Sequence, residues 1–279
     1  MEKILLALDG RRMDQHAVEF ACYLAKLTKS KITAVFLRNL TPEQCLVIEE
    51  SDGITHFEEF PLIDPEELAG DEKACADNIA LFRDMAREEG VPAMVHLEKN
   101  ASAAEVAAET RFADLLVLDA STHFSGQPES RPTAFVREIL KQAECPVLVA
   151  PEKFFGIENV VFCYDGSKSS VFAIKQFSYL FPQWKGISAK VLYLNGSGEL
   201  SEEERLSLTD WLGYHFRDVQ VLIPRDGAAN AFIDLLVERR SDIVVMGAYG
   251  RGLLDSFFQN EFVSDGAGST TLPIFISHY

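Results

Sequence analysis

The chain has 279 residues, 47% hydrophobic and 25% charged. That is the composition of a soluble globular protein, long enough for two domains of about 140 residues with a core each. A formal charge of −17, from 43 acidic and 26 basic residues, excludes a non-specific nucleic-acid or anionic-membrane surface. No apolar run approaches the roughly 18 residues of a membrane span, and "MEKILLALDG" lacks the basic start of a signal peptide, so the chain reads as cytoplasmic.

In chain order, short apolar runs alternate with helical patterns. Strands are predicted at Lys3 to Leu8, Lys31 to Leu37, Val91 to Leu97, Leu115 to Leu118 and Val147 to Val149. Helices are predicted at Met13 to Thr28, Pro65 to Glu89, Ser102 to Arg111 and Thr133 to Gln142. Between Thr41 and Asp77 there are twelve acids against one lysine, Lys73, which reads as a solvated loop or helix face. Its interspersed Phe57, Phe60, Pro61 and Leu62 leave a partner-docking role open. A short join, "PEKFFGIEN", leads to further strands at Asn159 to Tyr164, Ser188 to Leu194, Val219 to Ile223, Ile243 to Met246 and Ile274 to Ile276. This alternation predicts mostly parallel sheets with helices on both faces.

The second set repeats the first. An offset of 156 places Asp9-Gly10 on Asp165-Gly166, Ala17 on Ala173 and Leu24 on Leu180. Further on, "ADLLVLDAS" from Ala113 matches "SDIVVMGAY" from Ser241 at an offset of 128, and "CPVLVA" matches "LPIFIS". The first copy therefore carries 28 extra residues, chiefly in the acidic stretch. The expected domains are 1–150, with the acidic insertion at about 41–77, and 157–279.

The five cysteines are widely spaced with no C-x-x-C, which fits buried thiols in a reducing compartment. No histidine pair has metal-ligand spacing, so no structural metal is predicted. Nor is there a nucleophile elbow or a G-x4-G-K-[S/T] loop, and no catalytic residues are assigned.

One stretch invites a ligand. "MGAYGRGLLDSFFQNEF", Met246 to Phe262, puts three glycines just past a strand, where backbone N–H groups and a helix start favour an anion. With the two strand-end Asp-Gly pairs, "DIVVMGAYGRG" and the closing "CPVLVAP", the chain resembles the universal stress proteins, here as a tandem. The resemblance implies two Rossmann-like (adenine nucleotide alpha hydrolase-like) domains, each with a five-stranded parallel sheet flanked by helices. It also implies ATP at the carboxyl ends of the strands in many members, in line with the general rule for open α/β sheets.

The family's nucleotide motif is G-x2-G-x9-G-[S/T]. Gly247 and Gly250 match its first two glycines, but Asn260 and Glu261 stand where the last Gly and Ser or Thr belong. A glutamate there opposes phosphate; like charges about 4 Å apart repel by roughly 1 kcal/mol in water and by several times that when shielded. Mg²⁺ would offset part of this, Arg251 beside Gly252 favours phosphate, and Glu261 also suits the first turn of its own helix. The resemblance puts Asp165 near adenosine and Gly227 in the turn after the third strand, while Asp165-Gly166-Ser167 equally suits a turn and helix cap.

In the first copy Asp119 replaces the first glycine, Thr122 the second, and the loop is one residue longer before Thr133-Ala134. No nucleotide is expected there, which leaves ATP, with Mg²⁺ if it binds, to the second copy. Three readings follow. The first is a stress-response regulatory protein acting through protein partners with nucleotide binding weak or lost; the others are an ATP sensor using the second copy and a slow nucleotide hydrolase. "PVLVAP" and "PIFISHY" are expected to face each other in an internal pseudo-dimer, and the sequence leaves a dimer of the whole chain open.

Overall fold

The computed structural model describes all residues except 39–43, 52–53, 62–64, 100–101, 124–128, 130, 195–199, 225–240, 248–271 and 278–279. For 38, 44–51, 54–61, 65–68 and 97–99 it describes the backbone alone. The first half runs β1 (Lys3–Asp9), α1 (Gln15–Thr28), β2 (Lys31–Arg38), β3 (Gln44–Ser51), β4 (Ile54–Pro61), α2 (Pro65–Glu88) and β5 (Ala93–Lys99). It continues through α3 (Ala103–Thr110), β6 (Leu115–Asp119), α4 (Ala134–Gln142) and β7 (Val147–Ala150). The second half comprises β8 (Asn159–Tyr164), α5 (Lys168–Leu180), β9 (Ser188–Tyr193), α6 (Glu202–Gly213), β10 (Val219–Leu222), β11 (Asp242–Gly247) and β12 (Ile274–Ser277).

Ten strands form one sheet in the order β10-β9-β8-β11-β12-β7-β6-β1-β2-β5. Each half contributes five parallel strands in the same order, and the two meet where β12 runs antiparallel to β7, with Phe275 opposite Leu148. Strands buried on both faces read as unbroken apolar runs. "LLVLD" of β6, "VLVA" of β7, "DIVVMG" of β11 and "IFIS" of β12 are buried throughout.

Alternate residues of each strand serve opposite layers. Ile4 and Leu6 join one core with Phe20 of α1, Phe82 of α2, Phe177 of α5 and Leu212 of α6. Leu5 and Ala7 join the other with Val106 of α3 and Val136 and Ile139 of α4. The first core crosses the junction between the halves, since it contains both Leu148 of β7 and its partner Phe275 of β12, and Phe275 meets Phe177 of α5 edge-on at 5.3 Å. The join of the halves is packed as well, since Phe154 lies 5.0 Å from Phe20 and 4.6 Å from Tyr23 of α1.

Three local differences from the sequence expectation have clear causes. Helix α1 starts at Gln15 instead of Met13, because the Asp14 carboxylate accepts from the N–H of His16 at 2.7 Å and caps the helix. Strand β5 starts at Ala93, because the Val91 N–H donates to Ala86 in the turn that closes α2 and Pro92 has no N–H. The acidic stretch, read as loop or helix face, instead contains an antiparallel hairpin, β3 paired with β4, as a separate two-stranded sheet before α2 begins. The sequence carried a signal for it: Asp52-Gly53 between two runs is a two-residue hairpin turn pair. Cys22, Cys75, Cys145 and Cys163 are buried thiols, as expected; the Cys45 side chain lies outside the described set.

Phe275→Ala removes a fully buried ring at the junction and is expected to cost about 3–5 kcal/mol. The check is urea unfolding of the full chain, with a lower midpoint and an unchanged slope.

Candidate functional site

In each half the strand order reverses beside the first strand, between β1 and β6 and between β8 and β11. The carboxyl ends of these strands frame a crevice where open α/β sheets place ligands.

In the second half, Asp165 follows β8 and its Oδ1 accepts from the Ser167 N–H at 2.9 Å. Ser167 in turn caps α5 by accepting from the Ser170 N–H at 3.1 Å. Burial pushes the Asp165 carboxyl up, but hydrogen bonds from Ser167 and Ser170 outweigh it and hold the group below its ordinary range, hence ionised. Gly166 between them has φ +80°, a left-handed backbone that favours glycine. Glu204 of α6 reaches over this turn and accepts a hydrogen bond from the Tyr164 hydroxyl.

Gly247 ends β11 directly beneath the start of α5. A Cβ there would lie 2.6 Å from Ser169 Oγ and 2.7 Å from the Ser169 carbonyl carbon. Its glycine is thus explained by helix–strand contact alone. The crevice lined by Cys163, Asp165, Ser167, Ser170, Met246 and Gly247 has about 10 Å³, room for a single water. Of the other expected site residues, Gly227, Gly250, Arg251, Gly252, Asn260 and Glu261 lie outside the described residues.

The first half is built differently at the same place. Under the offset of 156, Gln15 aligns with Val171, so α1 starts three residues, nearly a turn, later than α5. Met13, the counterpart of Ser169, therefore precedes the helix. A cavity of about 180 Å³ lies at this end, and Arg12, Asp14, Asp119, His123 and Arg131 line it with Asp9. Asp119 stands at the position of Gly247.

Most of the polar groups are already engaged within the chain. Asp9 Oδ1 accepts from the N–H groups of Arg11 and Arg12 at 2.7 and 3.2 Å, and Asp9 Oδ2 lies 4.0 Å from His123 Nδ1. Asp119 accepts from both the N–H (2.6 Å) and the hydroxyl of Ser121. Arg131 pairs with Glu152 at 2.5 Å. Thr133 caps α4, and the next N–H, on Ala134, donates to Glu129 Oε2 at 2.8 Å. A chain carboxylate therefore holds the helix start that would otherwise attract a phosphate.

Burial pushes the Asp119 carboxyl up, and the Asp14 charge adds to it; the Ser121 hydrogen bonds and Arg131 pull the other way without reversing it. Three carboxylates, Asp9, Asp14 and Asp119, thus share the cavity lining with Arg12, His123 and Arg131, and Glu129 holds the helix start. Arg12, Asp14, His123, Glu129 and Arg131 were not singled out in the sequence. Arg12 and Asp14, just past the Asp9-Gly10 pair, carried a positional signal; the other three sit in a loop without a matching motif.

Among the described residues no group of three or more His, Cys, Asp or Glu is placed to hold a metal ion, and no helix is long and apolar enough to cross a membrane.

A family model described as the universal stress protein family matches residues 1–151. No curated protein matches the chain. Among solved structures, a universal stress protein from Archaeoglobus fulgidus DSM 4304 superposes with a TM-score of 0.64 at 12% identity, covering 99% of this chain and 96% of that one. The functionally unknown protein PA1789 from Pseudomonas aeruginosa PAO1 gives 0.58 at 13% identity, with 100% and 92% covered. At these identities the likeness shows the fold.

Two substitutions test the site's construction. Gly247→Ala forces a methyl against the Ser169 backbone and is expected to lower stability by about 1–3 kcal/mol, read by thermal unfolding. Asp119 has a folded-state value above its ordinary one, so the stability it contributes is full below the ordinary carboxyl range and is lost as pH rises through the folded value. Asp119→Asn is accordingly expected to raise the melting temperature at neutral pH. The gain should shrink toward zero as pH falls below the ordinary carboxyl range, which melting curves over a pH series would show.

Proposed function

The chain belongs to the universal stress protein family, and from that premise we propose that it is a tandem stress-response regulatory protein that acts through protein contacts, without catalysis, with nucleotide binding weak or lost. We read 1–150 and 157–279 as its two domains, joined as an internal pseudo-dimer across β7 and β12. The equal strand order on either side and the antiparallel junction support this.

One observation carries the loss of nucleotide. In the first half the motif's anion positions hold the chain's own carboxylates, Asp119 at the first glycine and Glu129 on the α4 start. In the second half the narrow crevice at Asp165 points the same way, and Asn260 and Glu261 replace the residues that would wrap phosphate.

A second reading, an ATP sensor working through the second half, draws support from Asp165, held ionised at the strand end beside a left-handed Gly166. If ATP binds there, Asp165 and the Gly247-x2-Gly250 turn are the residues to hold it, and its phosphates would bring Mg²⁺.

Calorimetric titration of the full chain with Mg-ATP, with thermal-shift measurements alongside, separates the two. No saturable heat and no shift are expected. A saturable response abolished by Gly250→Trp would overturn the protein-contact reading in favour of the sensor. Restoring the motif with Asn260→Gly and Glu261→Ser is expected to tighten ATP binding at least about tenfold, or ~1.4 kcal/mol.

A further inference from the structure

The first-half cavity is built where two neighbouring parallel strands end. Ala7 of β1 pairs with Leu118 of β6, and Asp9 and Asp119 follow at the strand ends. At about 180 Å³ the cavity has many times the space of a single water and less than a drug-sized pocket. The matching crevice of the second half has about 10 Å³, so the volume is particular to this copy.

Its charge is layered by depth. Asp9 and Asp119 lie deepest, 8% and 4% exposed. The positive groups stand further out: Arg12 is exposed, and the Arg131 guanidinium, at the surface edge, is already paired with Glu152. Asp14 and His123 lie between the two levels.

Each of the three aspartates is held by one oxygen. Oδ1 of Asp9 takes the N–H groups of Arg11 and Arg12, Oδ1 of Asp14 takes those of His16 and Ala17, and Oδ1 of Asp119 takes the N–H and hydroxyl of Ser121. Among the described residues no donor comes within hydrogen-bond distance of Oδ2 on any of them. The nearest approach is His123 Nδ1, 4.0 Å from Asp9 Oδ2, and that nitrogen is itself buried without a hydrogen-bond partner. Such a separation is too long for a hydrogen bond, yet one small group placed between the two atoms would reach both. Buried polar atoms left in this way are rare and ask for a partner. Burial also raises the Asp119 carboxyl, with the Asp14 charge adding to it, as expected for a carboxylate short of neighbouring positive charge.

These acceptors specify a class of ligand. A metal ion would need the carboxylates and the imidazole to converge on one point, and among the described residues no three His, Cys, Asp or Glu do so. A phosphate or carboxylate that entered would meet the unused oxygens of Asp9 and Asp119 at the deep end, where like charges repel most. An ammonium supplies three donors, no acceptor and the missing charge. Further O–H or N–H donors on a short chain would reach the remaining oxygens one by one.

We propose that this cavity binds a small polar amine, its ammonium seated beside Asp9 and His123 and a further donor turned to Asp119. The place is the strand-end crevice that the family resemblance gives to nucleotide, here turned to a ligand of opposite charge. The proposal goes beyond the protein-contact reading and does not depend on it.

Three two-carbon probes test it: ethanolamine, ethylene glycol and glycolate, which share a hydroxyl and add an ammonium, a second hydroxyl or a carboxylate. Saturation-transfer NMR and calorimetric titration of the full chain at neutral pH should show saturable binding of ethanolamine, at least about tenfold tighter than ethylene glycol, and none of glycolate. Asp9→Asn and Asp119→Asn keep a carbonyl oxygen for the turns these residues hold, and each should weaken ethanolamine at least about tenfold. Asp210→Asn, which removes the same charge from the exposed side of α6, should leave the affinity unchanged. Circular dichroism melts establish that each variant is folded. No saturable binding of ethanolamine overturns the proposal, as does equal binding of ethylene glycol or a preference for glycolate. Affinity that survives both cavity changes, or that falls as far with Asp210→Asn, overturns it too, because it marks diffuse attraction to a chain of net charge −17. The Mg-ATP titration bears on the other reading alone: its outcome, read through Gly250→Trp in the second half, neither supports nor removes an amine site at Asp9 and Asp119.

Discussion

The antiparallel contact of β7 with β12 is the constraint on which the rest of the architecture depends. A five-stranded parallel sheet that ends in a strand such as "VLVA" or "IFIS" presents an apolar edge with unpaired N–H and C=O groups, which has to be covered. Each half covers the other's, with Ile274, Phe275 and Ile276 opposite Val149, Leu148 and Val147. Because both strands are buried throughout, the pairing also merges the layers above and below into shared cores. The two crevices are thereby held at fixed places in a single sheet, with α1, α2, α5 and α6 on one side of it.

Within that frame a small difference in helix phase separates the two crevices. Helix α5 starts early, its first turn presses on the end of β11, and only a residue without a side chain fits at 247. Helix α1 starts nearly a turn later, capped by Asp14, and the position matching Gly247 holds a buried aspartate. Space and charge then move together. The roomier first crevice is lined by three aspartates together with Arg12, His123 and Arg131, and has the α4 start held by Glu129. The second keeps an ionised Asp165 but little volume beside it. The two crevices differ in opposite ways: one has room with mixed charge around it, and the other has a strand-end turn with little room.

Much of this was legible in the residues. Strands buried on both faces are continuous apolar runs, so β8 and β11 fall within a residue of where the sequence puts them. The caps at Asp14, Ser102, Thr133 and Ser167 are short polar side chains just ahead of amphipathic runs. The hairpin was hidden by its acidity. Charge drew the reading toward solvated loop, although strand pairing is decided by backbone and turn, and Asp52-Gly53 carried that information.

The sequence by itself determined the duplication, the parallel α/β class and the erosion of the nucleotide motif, because each follows from the order and periodicity of residues along the chain. Tertiary structure alone decided what those residues meet. That Gly247 answers to Ser169, that Glu129 sits on the α4 start and that Asp9 faces His123 are relations between residues that the chain order separates by 78, 5 and 114 positions. Contact distance and burial set them, and neither is written in the local pattern of a single strand or helix.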